Sequence, residues 1–197
     1  MKRRSAAAVV VISSLTLGAC HKKPVPIAPV PVTASTAPAT DDQAAARVRE
    51  QFVRDSLARA QADAAARMAA QRVRLRAVLE APAYFDYDAS DITAASRTSL
   101  DNKLPVLRTN MSVRIRISGH TDSRGSDEYN LALGLRRAAA TRKYLSDRGI
   151  GADRIEIVSF GEERPAASGD SEAAYTQNRR AEFEILSGAD ALQEPPR

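Results

Sequence analysis

One stretch of the 197-residue chain, Gly119-His120-Thr121-Asp122-Ser123-Arg124-Gly125, gathers side chains able to hold a charged ligand. It follows an alternating strand, with Val113, Ile115 and Ile117 on one face and Arg114, Arg116 and Ser118 on the other, and precedes a helix expected from about Asp127 to Arg148. Ser126 or Asp127 can cap that helix, which brings Asp122 close to unpaired N–H groups that favour an anion. Along the helix, Leu133, Arg137, Thr141 and Leu145 fall four apart and share one stripe, beside Asn130, Gly134 and Ala138. Arg137 therefore points where apolar residues point, and a buried guanidinium needs a partner. Asp122 is the nearest candidate. Arg136 is turned about 100° away and is expected in solvent. The bland alternative is a purely structural Asp122–Arg137 salt bridge.

Catalysis finds little support. The chain has two histidines, His21 and His120, and no Gly-x-Ser-x-Gly elbow. His120-Thr121-Asp122 offers at most two metal ligands where a catalytic zinc takes about three from the protein. Asp86 and Asp88, two apart on a strand, share a face without the groove a glycosidase needs. A non-catalytic protein with no metal and no cofactor is expected. Nucleic acid is not an expected partner either, since aromatic residues make up 5% of the chain and the formal charge of +5 includes Lys2, Arg3 and Arg4.

Those three basic residues open a segment, 1–19, that reads as a signal peptide: a charged start, an apolar run from Ala6 to Leu17, and a small-residue exit. Leu17-Gly18-Ala19-Cys20 resembles the bacterial lipobox, which implies cleavage before Cys20 and acylation of its thiol. His21 in the following position implies sorting to the outer membrane. Residues 20–40 read as a Pro-rich tether, with prolines at 24, 26, 29, 31 and 38. Residues 41–81 read as a long Ala/Arg-rich spacer helix capped by Asp41 or Asp42 and ended by Pro82, with i, i+4 pairs Glu50–Arg54, Asp55–Arg59 and Asp63–Arg67. Its seam of Leu57, Gln61, Ala64, Met68, Gln71, Leu75 and Val78 suits either a weak coiled-coil self-association or a lone spacer.

A globular domain is expected over 82–187, followed by a disordered tail, 188–197. Strands are expected at Ala83–Asp88, Val113–Ser118, Ile155–Phe160 and Arg179–Leu186. One helix follows Asp91 or Thr93 and is kinked or cut short by Pro105. A long loop fills 161–177, and Arg179 is a second inward-phased arginine. The class is α+β, a β-α-β-α-β-β mixed sheet with helices on one face.

Six ordered blocks carry a family resemblance: Tyr84-Phe85-Asp86-Tyr87-Asp88, the Gly119–Gly125 stretch, Glu128-Tyr129-Asn130, Leu133-Gly134-Leu135-Arg136-Arg137-Ala138, Gly161-Glu162-Glu163-Arg164-Pro165 and Asn178-Arg179-Arg180. Together they resemble the peptidoglycan-associated lipoproteins of the OmpA-like C-terminal domain family. The resemblance implies non-covalent binding of peptidoglycan through the diaminopimelate of its stem peptide, with Asp122 taking the ligand's ammonium and Arg137 its carboxylate. It further implies that Phe85, Asp86 and Arg124 line the pocket while Asn130 and Arg179 brace it. It implies an outer-membrane lipoprotein facing the periplasm, held by acylated Cys20, with Tol system proteins as partners. The chemistry agrees, since a zwitterionic centre needs one fixed anion beside one fixed cation, and an arginine fork suits a carboxylate. The competing expectation is an envelope adaptor that binds proteins and not the wall.

Overall fold

The computed structural model describes residues 39–196, so the expected signal peptide, Cys20 and nearly all of the tether lie outside the described residues. The elements run α1 (Ala39–Glu80), β1 (Ala83–Tyr84), α2 (Ala94–Thr109), β2 (Arg114–His120), α3 (Asp127–Ser146), β3 (Ile155–Gly161), α4 (Glu172–Asn178) and β4 (Arg180–Ser187), with short 3-10 turns at Ala152–Arg154 and Ala189–Ala191. The sheet order is β1-β4-β2-β3; β2 and β3 are parallel, and β4 runs antiparallel to β1 and β2. This is the expected α+β mixed sheet. Ile117 pairs with both Ile157 and Phe183 across the centre, and Val113, Ile115 and Ile117 are buried with Leu100, Leu107, Ala138 and Leu145. The other face is charged: Arg116 bridges Glu184 (3.1 Å) and Glu156 (3.3 Å).

Local chemistry places the helix starts. Thr93 caps α2 by accepting from the Ser96 N–H (3.1 Å), and Ser126 caps α3 by accepting from the Tyr129 N–H (3.3 Å). Pro105 does not end α2, which runs to Thr109 because Leu100, Leu104, Val106 and Leu107 all face the core. Strand β1 is shorter than expected. Beyond Phe85, whose N–H still donates to Arg179 O (2.9 Å), the chain turns at Asp86–Ala89 with Asp88 at φ +51°. The expected loop 161–177 contains the start of α4, capped by Ser171 (3.2 Å to the Ala174 N–H).

The core recruits residues on both sides of the expected 82–187 span. Leu75 and Leu79 of α1 are buried in it, and Lys103 of α2 donates to Val78 O in the last turn of α1 (2.8 Å) and to Ala81 O just beyond it (2.6 Å), with its ammonium 4.4 Å from the Phe183 ring centroid. Burial pushes the Lys103 amine down to about 7. On the C-terminal side Leu192 is buried, while Asn110 and Gln193 exchange hydrogen bonds at 2.8 and 2.9 Å. The expected disorder of the tail is thus corrected as far as Gln193, because one apolar side chain and a reciprocal amide pair tie it down. Leu75 and Val78, two of the expected seam positions, are spent on the domain's own core, whereas Leu57 and Met68 are exposed. Of the expected α1 ion pairs, Glu50–Arg54 forms (2.8 Å), and Asp55 accepts from Gln51 instead (2.8 Å).

Candidate functional site

The site forms where β2 ends against α3. Gly119 and Gly134 meet there so closely that a Cβ on Gly119 would lie 1.8 Å from Gly134 O, and Arg137 follows one turn later. Arg137 is fully buried. Its Nε donates to Ala89 O (2.8 Å), Nη1 to His120 O (2.8 Å) and Nη2 to Asp86 O (3.0 Å), and its guanidinium sits 5.3 Å from the Phe85 ring centroid. Of five N–H donors, three are used, which leaves one on each Nη. Burial lowers its pKa to about 10 against the supporting charge of Asp122, so the group is cationic at neutral pH.

Asp122 is also buried, but its direct partners are not Arg137. Its Oδ2 accepts from Arg124 Nη2 (2.6 Å) and Arg179 Nη1 (3.2 Å), and its Oδ1 from the Arg124 main-chain N–H (3.3 Å). Burial alone would push this carboxyl up, yet the hydrogen bonds from Arg124 and Arg179 outweigh it and hold the pKa below the ordinary value. The direct Asp122–Arg137 pairing considered from the sequence, including its bland alternative of a structural bridge, does not form: Arg137 cross-links main-chain carbonyls, and Asp122 answers two other arginines.

Both charges line one cleft of about 120 Å³, with Tyr87, Arg124, Tyr129 and Asn130. A neighbouring cleft of about 310 Å³ is walled by Asp127, Glu128, Glu162 and Glu163 and has no cationic side chain in its lining to meet a carboxylate. The remaining expected residues take varied places. Phe85 is buried beneath Arg137 and Asp86 serves through its carbonyl, so neither side chain lines the cleft. Arg124 does line it, stacked between Tyr87 (4.1 Å) and Tyr175 (4.4 Å). Asn130 braces, donating from Nδ2 to Arg124 O (3.3 Å) and Glu162 Oε2 (2.5 Å). Arg179 braces too, donating to Phe85 O (3.2 Å), Glu172 (2.9 Å) and Thr176 (2.9 Å) besides Asp122. His120 turns its ring away from the cleft to stack on Phe160 at 5.6 Å. Burial and Arg180, against Glu182, lower its pKa to about 4, so it is neutral and only its carbonyl serves the site.

Sequence reasoning missed Tyr87, Tyr129, Tyr175 and Glu172. Tyr129 hydroxyl donates to Asp88, closing one wall. Tyr175 and Glu172 ride on α4, and the Ser171-Glu172-Ala173-Ala174-Tyr175 run, free of Gly and Pro after a cap residue, was the available signal.

Residues 84–179 match the OmpA family. The peptidoglycan-associated lipoprotein of Pseudomonas putida is 45% identical over 100 residues, which are 51% of this chain and 60% of that protein. That of Haemophilus influenzae is 45% identical over 98 residues, 50% of this chain and 64% of the relative. The chain thus matches less than two thirds of the length of these curated relatives. The crystal structure of the peptidoglycan-associated lipoprotein from Burkholderia pseudomallei superposes with a TM-score of 0.52 at 41% identity, over 53% of this chain and 89% of that one. The C-terminal domain of Helicobacter pylori MotB gives 0.52 at 21% identity, over 56% of this chain and 87% of that one, and shares the fold. The matched range, the identities and the superposition thus agree, and the chain belongs to the OmpA family, in the company of its peptidoglycan-associated lipoproteins.

Proposed function

We propose that this chain is a non-catalytic reader of peptidoglycan, tethered to the outer membrane, that grips the diaminopimelate of the stem peptide. The observation that carries this reading is a buried carboxylate and a buried guanidinium lining one small cleft, the guanidinium with two N–H groups uncommitted. An amino-acid centre carries the complementary pair, and an ammonium would meet Asp122 while a carboxylate meets the Arg137 fork. Among the described residues no helix is long and apolar enough to cross a membrane. Membrane attachment is assigned to acylated Cys20, as the lipobox resemblance implies, and at about 1.5 Å per residue the 42 residues of α1 are roughly 60 Å long. Tol system proteins, the partners that the resemblance of the sequence blocks implies, would bind the same envelope-anchored chain.

The test is co-sedimentation of the full chain, in detergent, with purified sacculi. Asp122→Asn should weaken retention at least about 30-fold, as loss of a buried, hydrogen-bonded charge does, with circular dichroism showing that the fold persists. Retention equal to the wild type in a folded variant overturns the assignment. In cells, Cys20→Ser should move the protein from the membrane to the soluble fraction, and unchanged fractionation refutes acylation.

A further inference from the structure

We infer that Arg124 is a displaceable latch, occupying at Asp122 the place of a ligand ammonium and releasing it by transfer to Glu172. This rests on the reading of Asp122 as the ammonium acceptor. Asp122 already answers two guanidinium groups, Arg124 in the cleft and Arg179 beside it. Both guanidinium groups sit on Oδ2, so a third cation at this oxygen would meet like charge at close range, and departure of one arginine relieves it.

The two arginines are not equal. Arg179 is buried and donates to four acceptors on three segments: Phe85 O, Asp122, Glu172 and Thr176. Arg124 is one-third exposed, its guanidinium makes one short bond to Asp122 and a marginal one to Glu172 (3.5 Å), and its buried Nε–H has no acceptor. An unpaired buried donor is a cost carried by the present pose. Movement of Arg124 is therefore the cheaper exchange.

A track and a receiver are both present. The guanidinium lies between the rings of Tyr87 and Tyr175, which support a planar cation along its faces and leave its edge free to slide. Glu172, largely exposed, already lies within reach of Nη1 with Oε2 while its Oε1 holds Arg179. Transfer thus trades one charge-assisted bond for another, and the position that Arg124 leaves on Asp122 Oδ2, still shared with Arg179, receives the incoming ammonium. A neutral, acylated amine cannot drive the exchange, so the latch selects stem peptides whose amine is free.

The experiment is calorimetric titration of the full chain with a soluble stem peptide ending in diaminopimelate, across wild type, Arg124→Met, Glu172→Gln and the double variant. Arg124→Met should bind about tenfold tighter, and Glu172→Gln about fivefold weaker. In the Arg124→Met background the Glu172→Gln effect should vanish, because no latch is left to receive. Weaker binding by Arg124→Met makes Arg124 a ligand contact and overturns the latch. An equal Glu172→Gln effect in both backgrounds means that Glu172 acts through Arg179, and it overturns the latch as well. Binding by the wild type with either of these patterns leaves the wall-reading function standing; absence of binding by all four proteins removes that function and the latch together.

Discussion

Arg137→Ala should abolish retention on sacculi and also lower the melting temperature by more than about 10 °C, because this side chain joins site and scaffold. Its removal leaves the buried His120 carbonyl and the part-buried Ala89 carbonyl without this donor, whereas Asp86 O keeps the Ala89 N–H (3.3 Å). Each unsatisfied buried acceptor costs about 1–3 kcal/mol, and each kcal/mol is worth about 4–8 °C in a domain near this size. Arg137→Lys separates the two roles. A lysine keeps the charge and can reach some of the carbonyls, so part of the thermal loss should return. It lacks the fork, so binding should not. Thermal melts paired with co-sedimentation read both, and a folded Arg137→Ala that still sediments with the wall would remove Arg137 from the site.

Gly119→Ala should have the largest effect on stability, more than about 4 kcal/mol, the range reached by severe overpacking or strain. The new Cβ would lie 1.8 Å from Gly134 O and 2.5 Å from Gly134 C, and both are main-chain atoms of α3 with no rotamer to escape through. The helix would have to lift from β2 and take Arg137 with it. Gly134→Ala is the internal comparison. Its Cβ meets Ser159 Oγ at 2.3 Å, a side chain that can turn away, and Gly119 O at 2.9 Å. Denaturant melts should therefore rank Gly134→Ala well above Gly119→Ala, and a Gly119→Ala protein as stable as the wild type would show that α3 does not rest on β2 through this contact.

The parts of this molecule legible in the sequence are those fixed by local pattern. Alternation gave β2 and its buried face, Ser126 and Thr93 marked helix starts, and the four-residue stripe placed Arg137 inside. Its partners were not legible, because carbonyls are present at every residue and nothing in the side chains of Asp86 or Ala89 advertises a main-chain turn. The sequence likewise offers Asp122 as the nearest partner for Arg137, whereas the cation that reaches Asp122 from afar, Arg179, some 57 positions away, arrives through the pairing of β1 with β4. The inward start of α1 was hidden by uniformity. Its Ala and Arg content barely changes along 42 residues, so nothing marks Leu75 as the point where solvent gives way to core.

That buried end of α1 fixes where force enters the domain. Only Ala81 and Pro82 separate α1 from β1, and β1 holds the sheet edge by two paired residues, Ala83 with Ala181 and Tyr84 with Arg180. Such an edge, pulled directly, peels one rung at a time. Leu75 and Leu79, seated in the core ahead of it and clasped by Lys103, take the strain first, so that tension arriving along α1 loads many contacts in parallel and bypasses the weakest ladder in the fold.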